Sequence, residues 1–124
     1  MALTNAGAIL HAATIIGDGS LTNLAAGNCY LGCGDSSTAF SAAHTDLQAA
    51  TNKLRKLATT VSRTNGVLTI VTTYGTTEAN WAWEEVSVHN AATVGTMVAR
   101  KVQSLGTKTS ASSWQLTYSA TVSA

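Results

Sequence analysis

The segment YLGCGDSSTAF, residues Tyr30–Phe40, holds the densest group of chemically reactive side chains in the sequence. It lacks the lysine with which a phosphate-binding loop reaches phosphates, and it lacks the second glycine of a nucleophile elbow. Cys29 and Cys33 have no second ligand pair for zinc. On one strand they would lie ~13 Å apart, too far for a disulfide. We therefore predict two buried free thiols on a core strand, with a turn at Gly34–Ser36.

Other reactive residues form no recognisable catalytic or metal-binding pattern. The histidines lie on different predicted elements, and none is spaced from another as metal ligands are; they are His11, His44 and His89. A triad of Ser36, His44 and Asp46 is possible on paper, although nothing in the sequence places the three together. Glu84 and Glu85 are adjacent, so on a strand they face opposite sides and cannot flank one substrate bond. We expect no catalytic, cofactor or metal site, and thus no enzyme.

Two tryptophans leave a choice between a structural and a binding role. Trp81 and Trp83 share a predicted strand face with Glu85, because side chains alternate along a strand. With few aromatic residues in the chain, we expect these rings in the core. A carbohydrate-binding platform is the alternative. An exposed Trp81–Trp83 face would favour that alternative, and a buried one would oppose it.

The composition predicts one domain, 1–124, with an unusually uncharged surface. Hydrophobic residues make up 45% of the chain and charged residues 10%, where about 25% charged is typical. The basic residues cluster weakly, at Lys53, Arg55, Lys56 and Arg63, which is too little positive charge to predict nucleic-acid binding. We expect neither a signal peptide nor a membrane-spanning segment. The two cysteines favour assembly in a cytosol over a secreted disulfide scaffold.

The first seventeen residues predict a helical arm. Thr4 or Asn5 stands where a helix N-cap belongs, and Gly17-Asp18-Gly19 ends the pattern. Apolar residues with helical spacing form one stripe between them; they are Ala6, Ile9, Leu10 and Ala13. The arm either packs on its own domain or contacts a partner.

The remaining sequence predicts strands. Asn65-Gly66 between two β-rich runs indicates a hairpin, and alternation over Trp114–Val122 indicates a strand with one buried face. The segment 81–89 alternates similarly. The segment after Asp46 is ambiguous, because a helical turn there would carry apolar residues on one side; they are Leu47, Ala50 and Leu54. We predict a mostly-β, antiparallel, jelly-roll-like sandwich with a short N-terminal α-helix.

Five segments, in their order, resemble small virion proteins of tailed bacteriophages. They are LTNAG, YLGCGDSSTAF, TDLQAATNKLRK, YGTTEANWAWEEVSVHNAATVGTMVARKV and SLGTKTSASSWQLTYSATV. They are also similar to the amino-terminal module of phage tail-collar fibre proteins, in which a TNAG helix, an LGxGD strand and an E-x-G-V-F strand recur. This chain departs from the last motif, with Ser87 at the glycine place and His89 at the phenylalanine place.

The resemblance implies a structural role in a phage particle. Fibre proteins carry a shaft and a receptor-binding tip after this module, and we expect neither in this protein. We therefore expect a capsid decoration, or cement, protein on the phage head surface, assembled in the bacterial host cytoplasm. Its expected partners are the major capsid protein and further copies of itself, as a trimer or dimer. A fibre-anchoring or baseplate component of the tail is the first alternative, and a carbohydrate-binding module on the virion is the second.

The expected partner contacts lie in the arm and in the basic cluster. In the arm, within Ala2–Ile16, they are Leu3, Thr4, Asn5, Ile9 and Leu10, and in the basic cluster they are Lys53, Arg55 and Lys56.

Overall fold

The computed structural model of the protein describes residues 1–122 and contains, within them, one α-helix and eight β-strands. In chain order the elements are β1 (Ala2–Leu3), α1 (Asn5–Ile15), β2 (Tyr30–Gly34), β3 (Lys53–Leu57), β4 (Thr60–Thr64), β5 (Val67–Tyr74), β6 (Glu85–His89), β7 (Met97–Val102) and β8 (Trp114–Thr121).

The strands form two antiparallel sheets. The five-stranded sheet has the order β1-β7-β6-β2-β3, and the three-stranded sheet has the order β4-β5-β8. The predicted fold class, mostly β and antiparallel with a short N-terminal helix, is confirmed.

The hydrophobic core lies between the sheets. One cluster joins Leu31 and Val88 of the larger sheet to Ile70 of the smaller one. A second cluster joins Cys33 and Val86 to Tyr74 and to Trp83, which precedes β6. Because side chains alternate along a strand, only one face of β2 and β6 supplies these residues. The opposite face of the five-stranded sheet is buried by other means, described below.

Helix α1 begins at the predicted cap and packs on β7. The Thr4 side chain accepts a hydrogen bond from the Gly7 N–H, as an N-cap residue does. Gly7 lies against the Val98 carbonyl, where a Cβ would collide with the main chain. The buried positions are Gly7, Leu10 and Ala13. The predicted apolar stripe is wrong at Ile9, which is exposed. Gly7, which the prediction left out, faces the sheet together with Leu10 and Ala13.

The strand predictions are confirmed at the hairpin and at β8. Residues 65 and 66 link β4 to β5, with Asn65 at φ 52°, the left-handed conformation that asparagine tolerates. Burial alternates along all of β8, which pairs with β5 over its full length.

Two other predictions need correction. The segment after Asp46 forms no helical turn but an irregular loop, and Leu54 lies on β3. Residues 81–84 are irregular, and the regular strand begins only at Glu85.

Candidate functional site

The two glycines of YLGCG make room for a loop. Leu31 and Cys33 point into the core between the sheets, so Gly32 and Gly34 lie on the opposite face. A Cβ at Gly32 would lie 2.9 Å from Leu47 Cδ1 and would collide with the Ser87 hydroxyl. A Cβ at Gly34 would lie 2.5 Å from Glu85 Oε1. The segment that most resembled a reactive loop is therefore a β-strand, and its two glycines leave room on one face for residues of other segments.

The loop that occupies this space, residues 35–52, is called the covering loop below. It lies on the face of the five-stranded sheet that points away from the core, called the polar face, which carries Glu85, Ser87, His89 and Arg100. Leu47 and Ala49 of the loop are buried there. Sequence inspection gave no indication that this loop closes over a sheet.

A buried ion pair holds the covering loop down. Arg100 Nε donates to Glu85 Oε2 at 2.7 Å, and both side chains are fully buried. The Glu85 carboxylate also accepts from the Gln48 and Ala49 N–H groups, at 3.0 and 2.9 Å. Arg100 Nη2 donates to the Thr38 carbonyl at 2.9 Å. The charges are thus satisfied by each other and by loop main chain, which is the condition for tolerating a buried pair.

A second, partly exposed carboxylate fastens the same loop. Asp46 accepts from Arg55 Nη2 at 2.9 Å, from Lys53 Nζ at 3.2 Å and from the Leu47 N–H at 2.8 Å. Partial burial opposes ionisation of Asp46, but the hydrogen bonds from Arg55 and Leu47 outweigh it and lower the pKa of this carboxyl. Asp46 is an anchor of the covering loop.

Ser87 and His89 form a buried neutral pair on the polar face. Ser87 Oγ lies 2.6 Å from His89 Nε2, and the other ring nitrogen, Nδ1, is buried with no hydrogen-bond partner within residues 1–122. Burial, together with the nearby Arg55 charge, lowers the pKa of His89 to about 3. Both side chains are inaccessible to solvent. A serine and a histidine at this distance can catalyse acyl transfer only where a substrate reaches them, and here the covering loop prevents access.

The predicted burial of the two free thiols is confirmed. Cys29 and Cys33 are both fully buried and unpaired. Burial raises the pKa of Cys29 to about 11 and that of Cys33 to about 12. A thiol needs a lowered pKa to act as a nucleophile, so both cysteines serve as small apolar core residues.

The triad that was possible on paper is not assembled. Ser36 Oγ bonds Thr38, His44 Nδ1 lies 3.2 Å from the Ser41 N–H, and Asp46 binds the cations described above. Arg100 reaches this part of the loop at the Thr38 carbonyl and lies 3.5 Å from His44 Nδ1, and Ser36 makes no hydrogen bond to His44 or Asp46.

Burial of one tryptophan weighs against the carbohydrate-binding alternative. Trp83 is 2% exposed, packs edge-to-face on Tyr74 and Trp114, and donates its N–H to the Ala79 carbonyl at 3.0 Å. Trp81 is half-buried, and its N–H is buried without a partner within the described residues. The two rings do not form the open platform on which a sugar stacks.

The arm divides into an anchored side and an exposed side. Of the expected partner contacts in the arm, Thr4 and Leu10 are buried, because Thr4 caps α1 and donates to the Met97 carbonyl while Leu10 joins the core. Leu3, Asn5 and Ile9 are exposed and stay available for a partner.

The three expected partner contacts of the basic cluster, Lys53, Arg55 and Lys56, lie on two faces of β3. The Arg55 side chain, another expected partner contact, is almost fully buried and also donates to the Ala91 and Val94 carbonyls, at 3.0 and 2.9 Å. Lys53 lies on the same face and Lys56 on the other, where it pairs with Glu78. Each cation already has an anionic partner in its own chain, a pairing that spacing along the sequence cannot reveal.

An exposed apolar surface beside α1 was only partly foreseen. Ile9, Ile15 and Ile16 are 61%, 83% and 79% exposed. A groove of about 260 Å³ runs beside the helix, called the helix groove below. Its lining consists of Leu10, His11, Thr14, Ile15, Leu24, Leu68 and Val122. Residues 15 and 16 could have been noted from the sequence, as two isoleucines beyond the buried stripe.

Within residues 1–122 no three His, Cys, Asp or Glu side chains are grouped as metal ligands would be. The same residues contain no helix with the length and apolar character needed to cross a membrane. Comparisons of the chain with protein-family models, with curated proteins and with solved structures found no match.

Proposed function

We propose that this protein is a structural component of a bacteriophage virion, of the capsid decoration type, which binds the major capsid protein lattice and stabilises the head. The sequence resemblance set out above motivates the proposal. A protein that binds the assembled lattice but not the loose subunit stabilises the shell by mass action.

The observation that carries the proposal is the exposed apolar side of the arm. Leu3 and Ile9 are exposed on the segment β1–α1, and Ile16 lies one heptad after Ile9, on the same side of the helix. Several large apolar side chains exposed along one short segment are typical of an interaction site in a soluble protein. The arm is nevertheless firmly fixed, since Thr4 and Gly7 lock it to β7. A pre-ordered apolar arm loses little conformational entropy when it binds.

The charge distribution supports the same role. Ion pairs within the chain occupy Lys53, Arg55, Lys56 and Arg100. Of the cationic side chains outside these pairs, Arg63 and Lys101 are exposed and Lys108 is buried, which is too little positive charge to attract a nucleic acid. Such a surface suits wide apolar and hydrogen-bonded contacts with a protein lattice.

The first test is the location and copy number of the protein in purified virions. Heads and tails are separated and the protein is quantified in each by mass spectrometry. Hundreds of copies travelling with DNA-filled heads are expected. A few copies travelling with tails would replace the proposal with the tail-component alternative, and absence from particles would reject a virion role.

The second test asks whether the arm makes the contact. Ile9→Asp and Ile16→Asp place charges on the exposed apolar side without removing a core residue. Val94→Asp is the matched control, because Val94 is 84% exposed and lies outside the arm, on the loop between β6 and β7. The arm variants should lose binding to capsids stripped of the protein, and the control should bind as the parent does. Equal binding by all three would place the contact elsewhere.

A further inference from the structure

The four sheet edges are protected to very different degrees. β1 is only two residues long, β3 carries Lys53, Arg55 and Lys56, and β4 carries Arg63. Short length and charge are the usual means of keeping an edge strand from pairing with another chain. β8 has neither, since its eight residues, WQLTYSAT, include no charge and no proline, and its register with β5 is unbroken.

The hydrogen-bonding phase of β8 shows which main-chain groups are free. The Val122 N–H donates to the Gly66 carbonyl at 2.8 Å, one position beyond the Val67–Thr121 pair. Because bonded and non-bonded pairs alternate in an antiparallel ladder, the even-numbered residues of β8 bond to β5. The odd-numbered residues therefore direct their N–H and C=O groups away from β5; they are Gln115, Thr117, Ser119 and Thr121. No hydrogen bond found within residues 1–122 uses these groups.

We propose that β8 pairs antiparallel with β8 of a second copy, about a two-fold axis at Tyr118, to join two three-stranded sheets into one of six strands. This inference goes beyond the proposed function and does not depend on it. With the axis at Tyr118, Gln115 faces Thr121 of the second copy and Thr117 faces its Ser119. Every outward group finds a partner, giving about eight main-chain hydrogen bonds.

The side chains of β8 are self-complementary in this register. The solvent-facing side places hydroxyls of Thr117 and Ser119 opposite each other, a favourable cross-strand pair. The other side brings the two Tyr118 rings together. It also places Leu116 opposite Ala120, so that a large residue meets a small one. Between the paired β8 strands no like charges meet, because β8 carries no charged residue. A cleft of about 270 Å³ beside Leu116 and Tyr118 gives the added apolar side chains space.

The experiment is sedimentation velocity of the full chain, at concentrations up to about 1 mM. A dimer is expected for the parent. Thr117→Lys with Ser119→Lys would put two lysines opposite two lysines, and should raise the dimer dissociation constant about a hundredfold. Thr60→Lys with Ser62→Lys makes the same change on exposed positions of the β4 edge and should leave it unchanged.

A charge exchange tests the register. In Thr117→Lys with Ser119→Glu, each introduced lysine would face an introduced glutamate of the other copy, so dimerisation should return. A monomeric parent at every concentration overturns the proposal, and so does a double-lysine variant that dimerises like the parent. An exchange variant no better than the double-lysine variant overturns the register.

One measurement needs no variant and covers the case in which the double-lysine chain does not fold. Amide hydrogen exchange of the parent, followed by NMR, should show protection of Thr117 and Ser119 that increases with protein concentration. Protection of these amides that does not change with concentration would also overturn the proposal.

Discussion

The two faces of the five-stranded sheet are buried in opposite ways. The face toward β5 and β8 is apolar, with Leu31, Val88 and Ile70 packed together. The polar face buries an ion pair and a serine–histidine pair under the covering loop. The apolar face gains stability because apolar surface is removed from water. This contribution changes little when one apolar side chain is replaced by another of similar volume. The stability of the polar face depends on the hydrogen bonds and the ion pair of its buried polar groups.

The largest expected effect is the loss of one member of the buried ion pair. Arg100→Met leaves the Glu85 carboxylate buried without its counter-charge, and should lower the free energy of unfolding by about 3–5 kcal/mol. Urea denaturation measures the change. Arg63→Met, on an exposed edge strand, is the control and should change stability by less than about 0.5 kcal/mol. A loss under about 1 kcal/mol for Arg100→Met would show that the pair is not a main support of this face.

The next effect tests the space left by glycine under the covering loop. Gly34→Ala brings a methyl group to 2.5 Å from Glu85 Oε1 and 3.1 Å from Ala49 Cβ. Overpacking of this kind destabilises by about 1–3 kcal/mol. Gly19→Ala is the control, since nothing lies within 4 Å of its Cβ position. Thermal unfolding followed by circular dichroism should separate the two, and equal melting temperatures would mean that the loop does not press on β2.

A third effect is a pH dependence that arises from the polar face alone. The pKa of His89 is lowered from 6.5 to about 3 by burial and by Arg55, although Asp46 opposes this. The unfolded chain therefore takes up a proton below pH 6.5 while the folded chain does not, so stability present above pH 6.5 is lost as the pH falls toward 3. Between pH 7 and pH 5 the loss should be about 2 kcal/mol.

Chemical denaturation at these two pH values checks the His89 effect. His89→Gln, which cannot titrate, should be less stable at pH 7 but should show a much smaller difference between pH 7 and pH 5. If the variant keeps the full pH dependence of the parent, another group is responsible.

The smallest effect comes from the apolar face. The Tyr74 hydroxyl donates to the Leu31 carbonyl at 2.6 Å in the core. Tyr74→Phe removes one hydrogen bond and keeps the ring, so a loss of about 1 kcal/mol is expected. Tyr118→Phe is the control, on a half-buried ring of β8. A loss as large as that of Arg100→Met would erase the contrast between the two faces.

The sequence could predict the features that depend on local patterns, but not the polar face, whose partners are far apart in the chain. The hairpin at Asn65-Gly66 and the alternation of β8 are local patterns, and each was read correctly because turn chemistry and a two-residue period suffice. On the same basis the N-cap was predicted to be Thr4 or Asn5, and the structure has it at Thr4.

The polar face could not be predicted in this way. Glu85 and Arg100 lie on neighbouring strands, and the amides that complete their site belong to residues 48 and 49 of an irregular loop. No periodicity marks such a partnership. The glycines of YLGCG were noticed, but their purpose depends on Leu47 and Ala49, which reach β2 only in the folded chain.

The alternation of residue types at 81–84 led to a wrong prediction of a β-strand there. The pattern of large and small residues there is that of a strand. However, the chain turns into the core at Trp83, whose N–H bonds back to the Ala79 carbonyl. Among the expected partner contacts, Thr4, Leu10 and Arg55 are buried by residues of their own chain. Residue type shows what a side chain can contact, but not which residues of its own chain already contact it.

The two buried thiols have a practical consequence for spectroscopy. With a pKa of about 11 or 12, fewer than about one thiol in a thousand is ionised at pH 8, and neither sulfur meets solvent. Maleimide and spin-label reagents, which attack the thiolate, should therefore leave the folded protein unmodified. A single cysteine introduced at Val94, or at Thr117 on the edge of β8, can then carry a fluorophore or nitroxide in the otherwise native sequence, and distances between two labelled copies become measurable.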